Sequence, residues 1–306
     1  MTHALRTIND REVPTMRSEF ITFGPVHLDI RDRERSVAFW RDMVGLELFA
    51  TANGSAALGI DGTALVVLHP GATQPVQRGY AGLYHLAIHL PSEPELARVV
   101  ERLRYSHQRI GATDHIVAKS IYVNDPDGIG IELAFETPER VRSVRWDADS
   151  AAPIVIDSNG RQRSGVEPLD VAEVIAKLPD NDLARPLPSG TIMGHLHLQV
   201  ADLDSTYSFY RDQIGLQANF YAPVAGYGDL GAGGRVSHRI AVNTWQSLGA
   251  PQRPAGAAGM RSFTMRFETP EGLRDAITRT GATRGLDDEY LVHDPAGNAF
   301  SMRGRE

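Results

Sequence analysis

Laid against itself at an offset of 170 positions, the 306-residue chain repeats. Gly24-Pro25-Val26-His27-Leu28-Asp29-Ile30-Arg31-Asp32 aligns with Gly194-His195-Leu196-His197-Leu198-Gln199-Val200-Ala201-Asp202. The register continues without a gap through Phe39-Trp40-Arg41-Asp42 against Phe209-Tyr210-Arg211-Asp212, and through Gly45-Leu46 against Gly215-Leu216. A duplication of this length confines the chain to two similar halves, because one apolar pattern specifies one packing and here it is used twice.

Each copy opens with alternating apolar residues, which read as a strand, and Asp32 or Asp202 then stands where it can cap a helix. Val37, Phe39/Trp40 and Met43/Val44 form the apolar face in one copy; Tyr207, Phe209/Tyr210 and Ile214 form it in the other. Gly45 and Gly215 end these helices. Short strand-like runs follow, such as Thr63 to Leu68 and Ser237 to Val242. Within each half a second, similar unit opens at Gly82-Leu83-Tyr84-His85 and at Gly259-Met260-Arg261-Ser262, and closes on Asp125-Pro126-Asp127-Gly128 and Asp294-Pro295-Ala296-Gly297. The chain thus divides into four strand-helix-strands modules of an α+β fold: a tail over 1–19, modules one and two over 20–136, a polar linker over 137–189 with one amphipathic piece from Val171 to Leu178, and modules three and four over 190–306.

Composition narrows the chemistry. Hydrophobic residues at 42% and charged residues at 23% are those of a globular protein with its own cores. The net charge of -7 carries no long run of one sign, which argues against nucleic acid or an anionic membrane as partner. With no cysteine, disulfides, thiolate nucleophiles and iron–sulfur clusters are excluded, so a metal has to be held by His and carboxylate. The N-terminal residues have no apolar core like that of a signal peptide, and no segment has the apolar length of a membrane span. A cytoplasmic enzyme acting on a small molecule is the expectation.

One stretch carries more. Thr113-Asp114-His115, five residues, then Ile121-Tyr122-Val123-Asn124-Asp125-Pro126-Asp127-Gly128-Ile129-Gly130-Ile131-Glu132 resembles at every fixed position the signature of extradiol ring-cleaving dioxygenases. The four modules, with their strand–Asp–aromatic–Gly-Leu register, resemble the vicinal oxygen chelate superfamily of glyoxalase I, bleomycin-resistance proteins and extradiol dioxygenases. The likeness covers roughly residues 20–136 and 190–303 and is nearest to a two-domain bacterial type, that of the Bacillus catechol-2,3-dioxygenases. It implies βαβββ modules paired into curved, cup-like sheets.

In that superfamily a metal ligand commonly begins the first strand of a module, and another follows the Asp-Pro-x-Gly turn. These positions hold Pro25 in module one, His85 and Glu132 in module two, His195 in module three, and Ser262 and Ser301 in module four. Metal-competent residues fall only in modules two and three. The resemblance therefore implies that module two shares its cup with module three, leaving one and four to form a cup without metal. Two imidazoles and one carboxylate make a facial triad suited to Fe(II), with Mn(II) as the alternative.

The resemblance also implies roles. His238 is the acid/base histidine, Tyr122 the phenol that hydrogen-bonds a metal-bound diol, and His115 the residue that orients substrate. His197 and Asn243 are expected in the pocket, with Trp245 beside them. His27, the repeat mate of His197, is expected to pack, and His69, His89, His107 and His293 are read as structural. The expected reaction is Fe(II)-dependent extradiol cleavage of a catechol-type aromatic diol with O2. The alternatives are a glyoxalase-like isomerase or lyase, whose relatives place a second Glu where this chain has His238, and a drug-binding protein of the same fold. A homo-oligomer is compatible with such cups, whose sheet edges can associate.

Overall fold

The structure, a computed structural model, describes residues 11–12, 18–49, 54–147, 152–234 and 238–305. Most of the expected 1–19 tail, and Ser237 at the head of one expected strand, lie outside the described residues.

Each module is a strand, a helix and three further strands. In module one the first strand is Ile21–Ile30, where Val26, Leu28 and Ile30 are fully buried and alternate with partly exposed His27 and Asp29. Each buried aliphatic side chain contributes roughly 1.5–3 kcal/mol, and a slip by one residue would turn all three to the opposite face. Asp32 caps the following helix by accepting from the Arg35 backbone N–H at 3.0 Å, and Asp202 does the same for Ser205 at 2.7 Å. Such caps contribute about 1 kcal/mol each.

Both helices widen into a π turn, Phe39–Val44 and Phe209–Ile214, before ending at Gly45 and Gly215 with φ +97° and +93°. The sequence pattern gave a simple helix here. The wider turn seats the adjacent aromatic pairs Phe39/Trp40 and Phe209/Tyr210 in the core together.

Two large sheets result. The nine-stranded sheet joins module two (Gly82–His89, Gly111–Asp114, Ala118–Asn124, Gly130–Glu136) to module three (Ile192–Gln199, Gln217–Ala222, Tyr227–Gly231, Ile240–Asn243), with Glu167–Pro168 added at the edge. The eight-stranded sheet joins module four to module one through Gly259–Phe267 and Ile21–Ile30. The pairing of module two with three and of four with one is thus built into the hydrogen bonding. At the first seam Gly82–His89 runs antiparallel to Ile192–Gln199, with Leu86 opposite Leu196 and His85 opposite His197. A local two-fold through Leu86 and Leu196 therefore relates His85 to His195.

The cups are tied together at Asp127, the third residue of the Asp-Pro-Asp-Gly turn. Its buried carboxylate accepts from the Arg31 backbone N–H and Nε, each at 2.8 Å, and from Arg35 at 2.5 Å. The stretch 137–189 is folded onto module two. Val141–Asp147 pairs with Ala152–Asp157, and Val171–Ile175 lies beside the helix Glu93–Tyr105. From that helix the buried Arg98 binds Asp180 and the Asp182 carbonyl, and Arg102 binds the Leu183 and Arg185 carbonyls. No helix among the described residues is long and apolar enough to cross a membrane.

Candidate metal centre

Three side chains from three adjacent strands converge on the concave face of the nine-stranded sheet. Glu132 Oε2 lies 3.0 Å from His85 Nε2 and 3.1 Å from His195 Nε2, and the two imidazole nitrogens are 3.4 Å apart. All three residues are buried and form a group able to hold a metal ion. The turn before Glu132 sets its strand: Asp125 Oδ1 accepts from the backbone N–H of both Asp127 and Ile129, and Gly128 takes φ +89°.

The donor set fits a divalent cation. Nitrogen and oxygen ligands about 2.1 Å from an ion and mutually near 90° are about 3.0 Å apart, close to the observed spacings. Burial raises the pKa of Glu132, but His195 and His85 outweigh it and hold the carboxyl well below its ordinary range. Burial pushes His195 down, so its imidazole is neutral and has a lone pair to give. By the local two-fold, with Ala87 opposite Glu132 and His197 opposite Ala241, the mate of Glu132 is Ala241. That corrects the expectation that His238 stands there: a methyl group occupies the fourth position and leaves that side of the triad open.

Side chains behind the triad fix its geometry. Ser120 Oγ donates to Glu132 Oε1 at 2.6 Å. His195 Nδ1 lies 3.1 Å from His89 Nε2, and His89 Nδ1 lies 3.5 Å from Glu136 Oε1. For Nε2 of His195 to bind metal, its proton sits on Nδ1 and is donated to His89. His89, which the sequence reads as merely structural, is thus placed to orient the His195 ring. Gly194 makes room for it, since a Cβ there would lie 2.0 Å from the His89 ring.

Tyr122, directly across from Glu132, has its hydroxyl 3.0 Å from His115 Nε2. His115 Nδ1 lies 3.0 Å from the Gly165 carbonyl, so Nδ1 carries the proton and Nε2 accepts from the phenol. Burial, reinforced by the Glu132 charge, raises the Tyr122 pKa, so the phenol stays protonated. His238 precedes the strand Ile240–Asn243, and its ring lies 4.2 Å from that of His195. Burial and His195 hold it well below the ordinary imidazole value. The neighbouring Arg239 is buried, donates to the Gly194 carbonyl at 2.6 Å and pairs with Glu19.

His197 lines a cavity of about 940 Å³ together with His85 and Tyr122, and its ring packs against Tyr84 at 4.9 Å and Trp245 at 5.5 Å. Asn243, also expected in the pocket, is fully buried and absent from the lining. Its Nδ2 donates to His197 Nε2 at 2.8 Å, and its Oδ1 accepts from the Trp245 backbone N–H. It braces the pocket wall. In the other cup the four positions equivalent to the triad and Ala241 hold Pro25, Ser262, Val67 and Ser301. His27 there bonds to His69 at 2.8 Å.

Residues 22–133 match the model of the Glyoxalase/Bleomycin resistance protein/Dioxygenase superfamily. This part of the chain is similar to members of that superfamily. Over 288 residues the chain is 29% identical to the catechol-2,3-dioxygenase of Bacillus subtilis (strain 168), covering 90% of this chain and 95% of that one. The likeness in fold extends over nearly the whole length. The solved "putative dioxygenase from Bacillus subtilis subsp. subtilis str. 168" superposes with a TM-score of 0.59 at 13% identity, covering 94% of this chain and 86% of that one. Glyoxalase I from Zea mays superposes with a TM-score of 0.54 at 14% identity, covering 92% of each.

Proposed function

We propose that this protein is an Fe(II)-dependent extradiol dioxygenase that cleaves a catechol-type aromatic diol with O2. The observation that carries the reading is the His85/Glu132/His195 triad with Ala241 in place of a fourth donor. Iron, when bound by these three residues, supplies the electron path between diol and O2 that the protein's own side chains lack. Catechol plus O2 gives a ring-opened hydroxymuconic semialdehyde, with both oxygen atoms retained and the bond beside the diol broken.

The residues divide the remaining work. The ring enters between His197 and Tyr122, in a cavity walled by Tyr84 and Trp245 that sheds water from the diol. Tyr122, protonated, turns its one O–H from His115 Nε2 to a diol oxygen when the diol enters. His238, neutral beside His195, takes a diol proton on an imidazole nitrogen and returns it as the ring opens. Glu132 stays anionic, held by Ser120, so the triad brings one negative charge and favours a diol that has lost a proton. A glyoxalase-like isomerase asks for a fourth protein donor, which Ala241 cannot provide.

The test is anaerobic reconstitution with Fe(II), addition of catechol, then air, following oxygen uptake and a yellow ring-fission product. No uptake across a panel of catechols and hydroquinones overturns the proposal; activity with Mn(II) in place of Fe(II) would change only the metal.

A further inference from the structure

The cavity is much larger than a catechol needs. A cavity of about 150 Å³ suffices for a benzene ring, whereas this one measures about 940 Å³, near the upper limit for pockets that take drug-sized ligands. Its lining includes His85 and Tyr122, apolar Leu83, Ile110 and Met260, and the exposed Arg78 and Arg109.

The charges on that lining are uneven. Asp127 is taken up by Arg31 and Arg35, and Arg253 is taken up by Asp29 and the Ala257 carbonyl. Arg78 and Arg109 are exposed and have no hydrogen-bond or ion-pair partner among the described residues. The unpaired charges of the cavity are therefore two guanidinium groups, on a chain whose net charge is -7. Low-dielectric walls focus such a local field on an entering anion. Distance is also suitable: Gly111 is paired with Tyr122, so the backbone of Arg109 lies roughly 8 Å from that of Tyr122 by strand spacing and rise. A guanidinium can meet a substituent carried a few bonds from the ring. Gln199, whose Oε1 is buried without a hydrogen-bond partner, lines the same cavity and offers an acceptor.

We infer that the substrate is an aromatic diol bearing an anionic tail, a carboxylate on a short chain, and that Arg78 and Arg109 select it. The inference rests on the dioxygenase reading for the diol end and on the cavity alone for the tail. Planar guanidinium and carboxylate groups pair through charge-assisted hydrogen bonds, which fix the ring's orientation as well as its affinity.

The test uses 3-(2,3-dihydroxyphenyl)propanoate and its uncharged methyl ester with the full-length protein. Binding to the metal-free protein is read from tryptophan fluorescence, since Trp245 lines the cavity and is half exposed. The acid should bind about tenfold or more tightly than the ester, and the preference should vanish in R78Q/R109Q and shrink with added salt. Equal binding, no binding, or an acid preference that survives in R78Q/R109Q overturns the inference. Oxygen uptake by the Fe(II)-loaded protein is scored separately. A preference for the acid without uptake on any diol supports the anionic tail and overturns the dioxygenase reading instead.

Discussion

Replacing Ser120 by alanine removes one hydroxyl from a dry site and exposes what that hydroxyl does. Its Oγ is 2.6 Å from Glu132 Oε1, Ser120 is fully buried, and the other carboxylate oxygen is shared by His85 and His195. A hydrogen bond to a buried charge contributes about 1.5–3 kcal/mol. Without it Oε1 loses its serine donor, and the carboxylate is less firmly turned toward the imidazoles when metal binds. Loss of an orienting partner of this kind lowers metal affinity about 10- to 100-fold, equivalent to about 1.4–2.7 kcal/mol. The two ranges coincide, so one lost bond accounts for the whole effect. Anaerobic competition against a chelator for Fe(II) measures it, with circular dichroism to show that the fold is retained. Ser301→Ala, in the other cup, removes a hydroxyl bonded only to Thr264 and should leave the affinity as it was. A change below twofold in folded Ser120→Ala would refute the view that this serine sets the carboxylate.

Three further outcomes are expected. His195→Ala should abolish metal retention in an anaerobic dialysis while His27→Ala spares it; the reverse would place the centre in the other cup. Tyr122→Phe should keep the metal and lower kcat about 100- to 1,000-fold, measured as oxygen uptake at saturating diol, because the donor lost acts on the reacting oxygen. The metal-free protein should lose stability as pH falls below 6.5, followed by chemical denaturation. The folded-state pKa of His27 is lowered to about 4 by burial, with His69 adding to the effect, and His89, His197 and His238 are also lowered by burial. Unfolded imidazoles take up protons in that range that the folded ones refuse, so the stability present above 6.5 drains away toward pH 4. His27→Phe should make the decline shallower; an unchanged slope counts against this account.

Much of this architecture can be read from the chain because local chemistry and global fold agree. Asp32 and Asp202 cap, Gly45 and Gly215 terminate, and the 170-residue offset carries His195 to the position occupied by Pro25. That single exchange of a histidine for proline implies which modules pair. Contacts between segments distant in sequence leave no such trace. His89 has no spacing relation to His195, and Gly165 acts on His115 through a carbonyl, which every residue possesses. Nor does sequence alone show that Asn243, at the end of the strand Ile240–Asn243, turns its side chain to His197 rather than to the cavity. Likewise Ala241 is visible as the mate of Glu132 only once strand register is known.

The pairing of the first module with the last has a consequence for biosynthesis. Asp29 meets Gly259 across the seam of the eight-stranded sheet, about 230 residues later in the chain. At ribosomal speeds the strand Ile21–Ile30 emerges roughly 10–50 s before the segment that covers its edge has been made. During that interval an apolar strand carries an open row of backbone donors and acceptors, ready to pair with a neighbouring nascent chain. Modules two and three can close their shared sheet first, so the cup that carries His85, Glu132 and His195 should be the earlier half to mature, and a chain truncated before residue 259 should aggregate through its N-terminal module.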